Sequence, residues 1–195
     1  MVTVPIPERG DDVADVNQQL DELRREIRSL RDRRDILDCV NSYGRGLDRL
    51  DAALIRDAYH PDAVDNHGPF VGGVDAFVPF AIEIEGTFLT THHGITSHNC
   101  EISGDIAHAE SYVFFFVRMP DGKSVGAGGG RYVDMLKYRD GKWAISVRRL
   151  LMDWTFTVPY DPWLGAEWEK HAGIRNHSDL SYERPLSPPP IDRST

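Results

Sequence analysis

Four long segments with the pattern of β-strands follow one another in the second half of the chain. They read HGITSHNCEIS, IAHAESYVFFFVRM, SVGAGGGRYVDMLKYR and KWAISVRRLLMDWTF, and the turn signals GD, PDGK and RDG separate them. Short turns of this kind join antiparallel neighbours. Because helical patterns precede these strands, the sequence predicts an α+β fold in which a curved, mostly antiparallel sheet wraps against helices.

The glycine run GAGGG, residues 126–130, lies inside the third of these segments. No helical pattern follows it, so it does not have the context of a phosphate-binding loop. We expect it to let the sheet bend or a ligand approach the backbone.

The N-terminal part of the chain has the pattern of a long helix between Val13 and about Tyr43. Its apolar positions follow alternating three- and four-residue steps on an otherwise charged surface, at Leu20, Leu23, Ile27 and Leu30. So narrow a stripe is typical of a helix that lies on a partner subunit.

Glycines and a capping residue after this helix predict where it ends and where the next helix begins. Gly44 and Gly46 are expected to end the long helix, since both permit left-handed backbone. The short helix AALIRDAY follows, and Asp51 directly before it is expected to be its N-cap. A further helical pattern covers residues 73–89, with Pro79 as a kink or a boundary.

Length and composition indicate one globular domain. The 195 residues are 41% hydrophobic and 27% charged. We expect a disordered lead over residues 1–11, a single domain over 12–158 whose helical arm spans 12–46, and an irregular tail over 159–195.

Charge and cysteine content narrow the function classes. A net charge of -9 argues against a nucleic-acid partner, because phosphate recognition needs a clustered basic face. Cys39 and Cys100 stand in no metal or redox spacing, so a reducing, cytoplasmic setting is expected. The acidic N-terminus predicts no signal peptide, and no stretch has the length of a membrane span.

Histidines are the first candidates for chemistry. The sequence carries no GxSxG, Walker, dinucleotide or HExxH motif, which leaves acid–base chemistry or simple binding. THHGITSH contains His92, His93 and His98, but it offers no carboxylate or thiolate at ligand spacing, so no metal site is predicted. Adjacent histidines of a strand point to opposite faces, so one of His92 and His93 faces inward.

Two aspartates in GLDRLD call for different explanations. Asp51 has the position of an N-cap, and one N-cap is enough for a helix. Asp48 lies between Leu47 and Leu50 at the end of a core-facing helix, where a carboxylate needs a partner. A histidine is a fitting partner, because an Asp–His pair fixes the ring tautomer and raises its basicity.

Tyr43 stands five residues before Asp48. On a continuous helix, that spacing separates two side chains by about 140°. A break at the intervening glycines would let both side chains reach one pocket. The alternative is that Tyr43 is a core aromatic whose hydroxyl is satisfied locally.

The last strand carries adjacent arginines that face opposite ways. Period-two counting groups Arg148 with Leu150, Met152 and Trp154 on the inward face. A buried arginine needs an anion or a developing enolate beside it. The alternative is an ion pair at the surface.

Three stretches of the sequence together resemble a known family. They are YGRGLDRLDAALIRDAYHPDA, the HHG that precedes EISGD, and GGRYVDMLKYRDGKWAISVRRLLMDW. Their order resembles the SnoaL-like branch of the nuclear transport factor 2-like superfamily over roughly residues 30–157. The fold implied is a cone-shaped α+β domain, and the most similar patterns belong to dehydratases, dehydrochlorinases and isomerases of that branch.

The resemblance implies a set of site residues. The catalytic positions that it implies are His93, Asp48, Tyr43 and Arg148. The cavity-lining positions that it implies are Val113, Phe115, Tyr132 and Met152, with Asp65 and His67 near the mouth. Ser97 departs from the asparagine that many members carry, and His98 is unmatched.

The resemblance also implies a function. It predicts a cofactor-independent lyase of the dehydratase type, acting on a hydrophobic cyclic or polycyclic substrate such as a steroid, terpenoid or polyketide. The alternatives are a ketosteroid-type isomerase or polyketide cyclase, and a non-catalytic ligand-binding or assembly module. The expected assembly is a homo-oligomer, with a trimer as the first expectation and a dimer as the alternative.

Overall fold

The computed structural model describes residues 9–162 and 165–189 of the chain. The helices are α1 Arg9–Arg49, α2 Ala52–Asp57, α3 Val74–Gly86 and α4 Ala166–Glu169, with one 3₁₀ turn at Leu180–Tyr182. The strands are β1 Tyr59–His67, β2 Phe70–Gly73, β3 Thr90–Ser103, β4 Ile106–Arg118, β5 Ser124–Arg139 and β6 Lys142–Pro159. None of the helices within these ranges is long and apolar enough to cross a lipid bilayer.

All six strands form one sheet in the order β2-β1-β6-β5-β4-β3. Every neighbouring pair is antiparallel except β1 and β6, which run parallel. The expected α+β architecture, with a mostly antiparallel sheet against helices, is confirmed, and the four predicted strands are β3 to β6. The two short strands β1 and β2 were not predicted, because Pro61 and the turn-forming residues around DNHG hide their alternation.

The core lies between the inner face of the sheet and two helices. The second half of α1 contributes Ile36, Val40, Tyr43 and Leu47, and α3 contributes Val74, Phe77, Val78 and Ala81. The first half of α1 extends away from this core. Its apolar stripe is exposed at Val13, Val16, Leu20, Leu23, Ile27 and Leu30.

Gly44 and Gly46 do not end α1, contrary to expectation. The helix continues to Arg49 and closes with Leu50 in the left-handed region at φ 52°. The N–H of Asp51 donates to the carbonyl of Gly46 at 2.9 Å, and the N–H of Leu50 donates to that of Leu47 at 3.2 Å. This is the bond pattern of a Schellman motif.

The glycine at position 46 serves packing instead. A Cβ atom there would lie 2.7 Å from Cγ1 of Ile55, so the missing side chain lets α2 fold back onto α1. Asp51 begins α2 and accepts a hydrogen bond from the N–H of Leu54 at 3.0 Å, which confirms it as the N-cap.

Glycines of β5 make room for aromatic rings on both faces of the sheet. A Cβ atom at Gly128 would lie 2.2 Å from Cζ of Phe115, and one at Gly129 would lie 2.5 Å from Cζ2 of Trp154. An irregularity in the pairing of β5 with β6 places Met152 opposite Gly130 but Trp154 opposite Gly129. This bulge reverses the alternation.

Trp154 is therefore not grouped with Arg148 on the inner face. Its ring lies 5.8 Å from that of Phe114 and stacks on Phe156 at 5.6 Å, on the outer face of the sheet. Phe114, Phe116, Trp154 and Phe156 are all exposed there.

The tail packs on the chain's own domain. Tyr182 and His177 hydrogen-bond to Asp51 at 2.8 and 2.9 Å, and Arg45 donates to the carbonyl of Ser181 at 3.2 Å. At the other terminus, residues 1–8 of the predicted disordered lead lie outside the described residues, and α1 begins at Arg9.

Candidate active site

The structure brings Asp48 and His93 into direct contact. Asp48 lies in the last turn of α1 and His93 lies on β3, with Nδ1 of the ring 2.8 Å from Oδ1 of the carboxylate. The backbone N–H of His93 donates to Oδ2 at 3.0 Å, and the hydroxyl of Thr91 donates to Oδ1 at 3.0 Å. The two side chains are only 14% and 7% exposed.

This geometry fixes the imidazole. A carboxylate on Nδ1 favours the tautomer that carries its proton there, and Nε2 then has a free lone pair. Helix and strand lie close together here, since a Cβ atom at Gly44 would lie 3.4 Å from Cβ of His93. His92 is exposed on the opposite face, as the alternation along a strand requires.

Glu85 is a site residue that the sequence analysis missed. It lies in the last turn of α3, and its Oε1 is 3.9 Å from Nε2 of His93. Its Oε2 is buried and has no hydrogen-bond partner among the described residues. Burial raises the pKa of Glu85, although His93 and Arg175 act to lower it.

A helical pattern could have found Glu85. Phe77 and Ala81 are buried one turn apart on α3, and Glu85 follows one turn later on the same face. Glu83, two residues away, is exposed.

Arg148 lies beneath this site, fully buried and inward-facing. Its Nε and Nη2 donate to the two carboxylate oxygens of Asp134 at 2.8 and 2.6 Å. The guanidinium lies between the rings of Tyr43 and Tyr132, at 4.2 and 4.1 Å from their centroids. Although burial opposes the charge, Asp134 and the phenol of Tyr59 hold the pKa of Arg148 well above its usual value.

The anion that meets Arg148 is thus a side chain of the protein itself. Nη1 is the one guanidinium nitrogen that has no partner among the groups described. Arg148 thus keeps an N–H donor group in the interior of the domain that is unpaired within the described structure.

Tyr43 is a buried core aromatic that reaches the same interior. Its ring packs edge-on against Tyr59 at 5.8 Å and Tyr132 at 5.6 Å, and its hydroxyl has no partner within the described ranges. Burial and the neighbouring phenol of Tyr132 raise its pKa well above the usual value. Because α1 is unbroken, Tyr43 and Asp48 do not converge through a kink: Asp48 faces β3, whereas Tyr43 lies over Arg148.

Asp65 and His67 form a second Asp–His pair. Asp65 was expected near the mouth of the cavity, but it is completely buried and accepts hydrogen bonds from Tyr59 at 2.6 Å and from Nδ1 of His67 at 3.2 Å. The partly exposed His67 ring lies 6.2 Å from that of Tyr132. Asp65 therefore orients His67 instead of standing at an opening.

The remaining predicted lining residues divide into two groups. Phe115 lies beside the dyad, with its ring 6.0 Å from that of His93, and Tyr132 covers Arg148. The Val113 side chain is buried in the core, whereas the Met152 side chain is 43% exposed to solvent. The structure does not bring Met152 into the group of side chains around His93.

His98 faces inward too, away from the dyad. Its Nδ1 lies 2.8 Å from the hydroxyl of Ser111, and burial lowers the pKa of the ring. No cluster of three or more histidine, cysteine or acidic side chains suited to a metal ion occurs in the part of the chain that the structure describes.

Arg175, from the tail, closes the rear of the site. It donates to the carbonyls of Leu47 and Asp48 in α1 at 3.3 and 3.0 Å, and to those of Glu85 and Phe88 at 2.7 and 2.8 Å. The last carbonyls of a helix lack partners within the helix, and the helix dipole makes them negative. One guanidinium therefore caps α1 and α3 together.

Arg175 also reaches the dyad through Thr91. Its Nη2 donates to the Thr91 hydroxyl at 3.0 Å, which in turn donates to Asp48. No sequence pattern predicts this contact, because the tail has no periodicity.

A cavity of about 620 Å³ lies elsewhere, on the outer side of β3. Its wall includes His92, Phe116, Arg118, Tyr160 and Trp168, and it does not include the dyad.

Comparisons with known proteins agree with this architecture. The family profile described as SnoaL-like domain matches residues 28–149, well over half of the chain and a region that contains Tyr43, Asp48, His93 and Arg148. A comparison with curated protein sequences finds no match.

Solved structures share the fold at low sequence identity. A proposed scytalone dehydratase from Novosphingobium aromaticivorans is 23% identical with a TM-score of 0.61, covering 69% of this chain and 91% of its own. The hexachlorocyclohexane dehydrochlorinase LinA-type3 from Novosphingobium barchaimii is 17% identical with a TM-score of 0.64, covering 70% and 99%. A protein from Kribbella flavida is 19% identical with a TM-score of 0.61, covering 66% and 95%.

The profile match leads to one assignment, and the six-stranded sheet agrees with it. The chain belongs to the SnoaL-like family of the nuclear transport factor 2-like superfamily.

Proposed function

We propose that the protein is a cofactor-independent lyase of the dehydratase type. Its substrate is a hydrophobic cyclic or polycyclic compound, such as a steroid, terpenoid or polyketide, with a hydroxyl group β to a carbonyl. The observation that carries the proposal is the 2.8 Å contact between Asp48 and His93, in which the ring keeps Nε2 for a substrate. The structural neighbours include a proposed scytalone dehydratase and a dehydrochlorinase, which supports the same class of reaction.

Each residue has a defined part in this reaction. His93 removes a proton from the carbon next to the carbonyl, and Asp48 stabilises the imidazolium that forms. Tyr43 and Nη1 of Arg148, both buried without a partner in the described structure, hold the substrate oxygen on which negative charge develops. The rings of Phe115, Tyr132 and Phe77 favour an apolar substrate.

A screen for enone formation tests the proposal. Polycyclic β-hydroxy ketones are incubated with the full chain, and the rise of ultraviolet absorbance reports elimination. We expect His93→Gln and Asp48→Asn to lower turnover by about 10²- to 10⁴-fold. His92→Gln and Asp38→Asn are matched controls, because both residues are exposed neighbours in the same strand and helix.

Two results would redirect the assignment. Double-bond migration without loss of water would favour an isomerase or cyclase that uses the same base. Retention of full turnover by His93→Gln would refute His93 as the base, and tight ligand binding without chemistry would favour a binding module.

We propose that the protein assembles as a homo-oligomer. A trimer is the preferred state, and a dimer is the alternative. The exposed apolar stripe of α1 and the exposed aromatic rings on the outer face of the sheet support association. Light scattering measures the molecular mass of the full chain and of a Leu20→Glu, Ile27→Glu double variant. The comparison tests whether the N-terminal half of α1 contributes to the interface. An unchanged mass in the variant would remove the arm from the interface.

A further inference from the structure

Dehydration involves a second proton transfer besides the one in which His93 acts as the base. A hydroxyl group departs from carbon readily only when it receives a proton and leaves as water. The base that removes the carbon-bound proton cannot supply that proton at the same moment. A second acid within reach of the substrate would let the hydroxyl group receive its proton while the carbon-bound proton leaves.

The side chains around His93 offer few donors. The phenols of Tyr43 and Tyr132 have pKa values raised by burial, which makes them weaker acids. The guanidinium of Arg148 is held in its charged form beside Asp134. Glu85 differs from all three, because it is a carboxyl group, a stronger acid than a phenol or a guanidinium, and burial raises its pKa above the usual value.

The position of Glu85 suits the same task. Its side chain is 14% exposed, with Oε1 3.9 Å from Nε2 of His93, the nitrogen that faces the substrate. Oε2 is buried, lies 3.9 Å from the Arg175 guanidinium and has no hydrogen-bond partner among the described groups. The carboxyl group of Glu85 thus lies next to the base, and its Oε2 takes part in no hydrogen bond among the described groups.

We propose that Glu85 is the general acid that protonates the departing hydroxyl group, an assignment that rests on the proposed dehydration. His93 takes the proton from carbon, and the electron pair of that C–H bond forms the double bond. The C–O bond breaks with its electrons on oxygen, which receives the proton of Glu85 and leaves as water. The proton on His93 then returns to Glu85, so that the unsaturated ketone and water are the only products.

The protonation state of Glu85 can be tested without a substrate. The charged and titratable groups close enough to shift the pKa of Glu85 are Asp48, His67, His93 and Arg175. An infrared difference spectrum of wild type minus Glu85→Gln near neutral pH should contain the carbonyl band of a protonated carboxylic acid. Glu83→Gln, an exposed residue on the same helix, should show only a carboxylate band. A carboxylate band for Glu85 would overturn the assignment.

Leaving groups of different basicity test the catalytic step. A β-hydroxydecalone needs a proton on its leaving group, whereas the corresponding β-chlorodecalone does not. We expect Glu85→Gln to slow loss of water by on the order of 10²-fold and to leave loss of chloride nearly unchanged. Equal losses with both compounds, or no loss with either, would overturn the role of Glu85.

Failure of the proposed function gives a different result. If wild type and Glu83→Gln eliminate neither leaving group and exchange no carbon-bound proton with solvent, the lyase itself is refuted. If wild type eliminates both and Glu85→Gln behaves like wild type, the lyase stands and only the role of Glu85 is lost.

Discussion

Arg175 donates a hydrogen bond to the main-chain carbonyl of Asp48 at 3.0 Å, across 127 residues of sequence. The same guanidinium holds the end of α3, where Glu85 lies. The tail therefore fixes the two helix ends that carry the proposed orienting carboxylate and the proposed acid. Through Thr91 it also reaches the Asp48 side chain itself.

Removal of Arg175 should loosen both helix ends. We expect Arg175→Ala to lower the free energy of unfolding by roughly 2 kcal/mol, because several charge-assisted hydrogen bonds are lost. Arg175→Lys should recover a part of it, since one ammonium group cannot reach all the carbonyls. Urea denaturation measures the loss, and Arg184→Ala, an exposed tail residue, is the control. Equal stability of the two alanine variants would contradict the clamp.

The docking of the tail on Asp51 should depend on pH. Although burial raises the pKa of Asp51, hydrogen bonds from the Leu54 N–H, Tyr182 and His177 lower it below its usual value. Because the folded pKa is lower than the unfolded one, this stabilisation is complete above about pH 4 and is lost as the pH falls through the lowered pKa.

Limited proteolysis of the tail as a function of pH checks this dependence. Wild type should become more susceptible in the acid range, whereas Asp51→Asn should be susceptible at every pH. Parallel profiles for the two proteins would show that Asp51 does not hold the tail.

The ion pair of Asp134 and Arg148 should be far more sensitive to loss of one partner than of both. Asp134→Leu leaves a buried guanidinium without its anion and should cost about 3–5 kcal/mol in unfolding free energy. The double variant Asp134→Leu, Arg148→Met should recover much of this cost, because no charge is then buried. A double-mutant cycle by urea denaturation measures the coupling, and additive effects would contradict the buried pair.

Two helical glycines should respond to alanine in opposite directions. Gly86→Ala meets no heavy atom within 4 Å and should be neutral or stabilising by up to about 1 kcal/mol. Gly46→Ala brings its Cβ atom against Ile55 and should cost about 1–3 kcal/mol through overpacking. Thermal unfolding compares the stability of each variant with that of wild type. A stabilising effect of Gly46→Ala would refute the packing role of Gly46.

Much of the fold was predictable because the signals are local. Strands β3 to β6 are long and joined by short turns, and the N-cap at Asp51 follows from its place before an apolar segment. Strands β1 and β2 escaped prediction because β1 is held by pairing with the distant β6. The end of α1 was misplaced because Leu50 takes the left-handed conformation that glycine usually provides.

The candidate site was predictable only in part. A buried carboxylate needs a partner, and this need together with the family resemblance pointed to Asp48 and His93. Glu85 lies on the core face of α3, where an acid is unusual. Arg175 lies 127 residues after Asp48 in the sequence, so no local pattern connects the two. The trimer and the cytoplasmic setting stay predictions.

Exchange of a carbon-bound proton with solvent measures proton abstraction by His93 without any later step. A decalone without a leaving group is incubated with enzyme in deuterated buffer, and mass spectrometry follows deuterium at the carbon next to the carbonyl. We predict enzyme-dependent exchange in wild type and in His92→Gln, and a loss of about 10²-fold or more in His93→Gln. Exchange at the wild-type rate in His93→Gln would contradict the account.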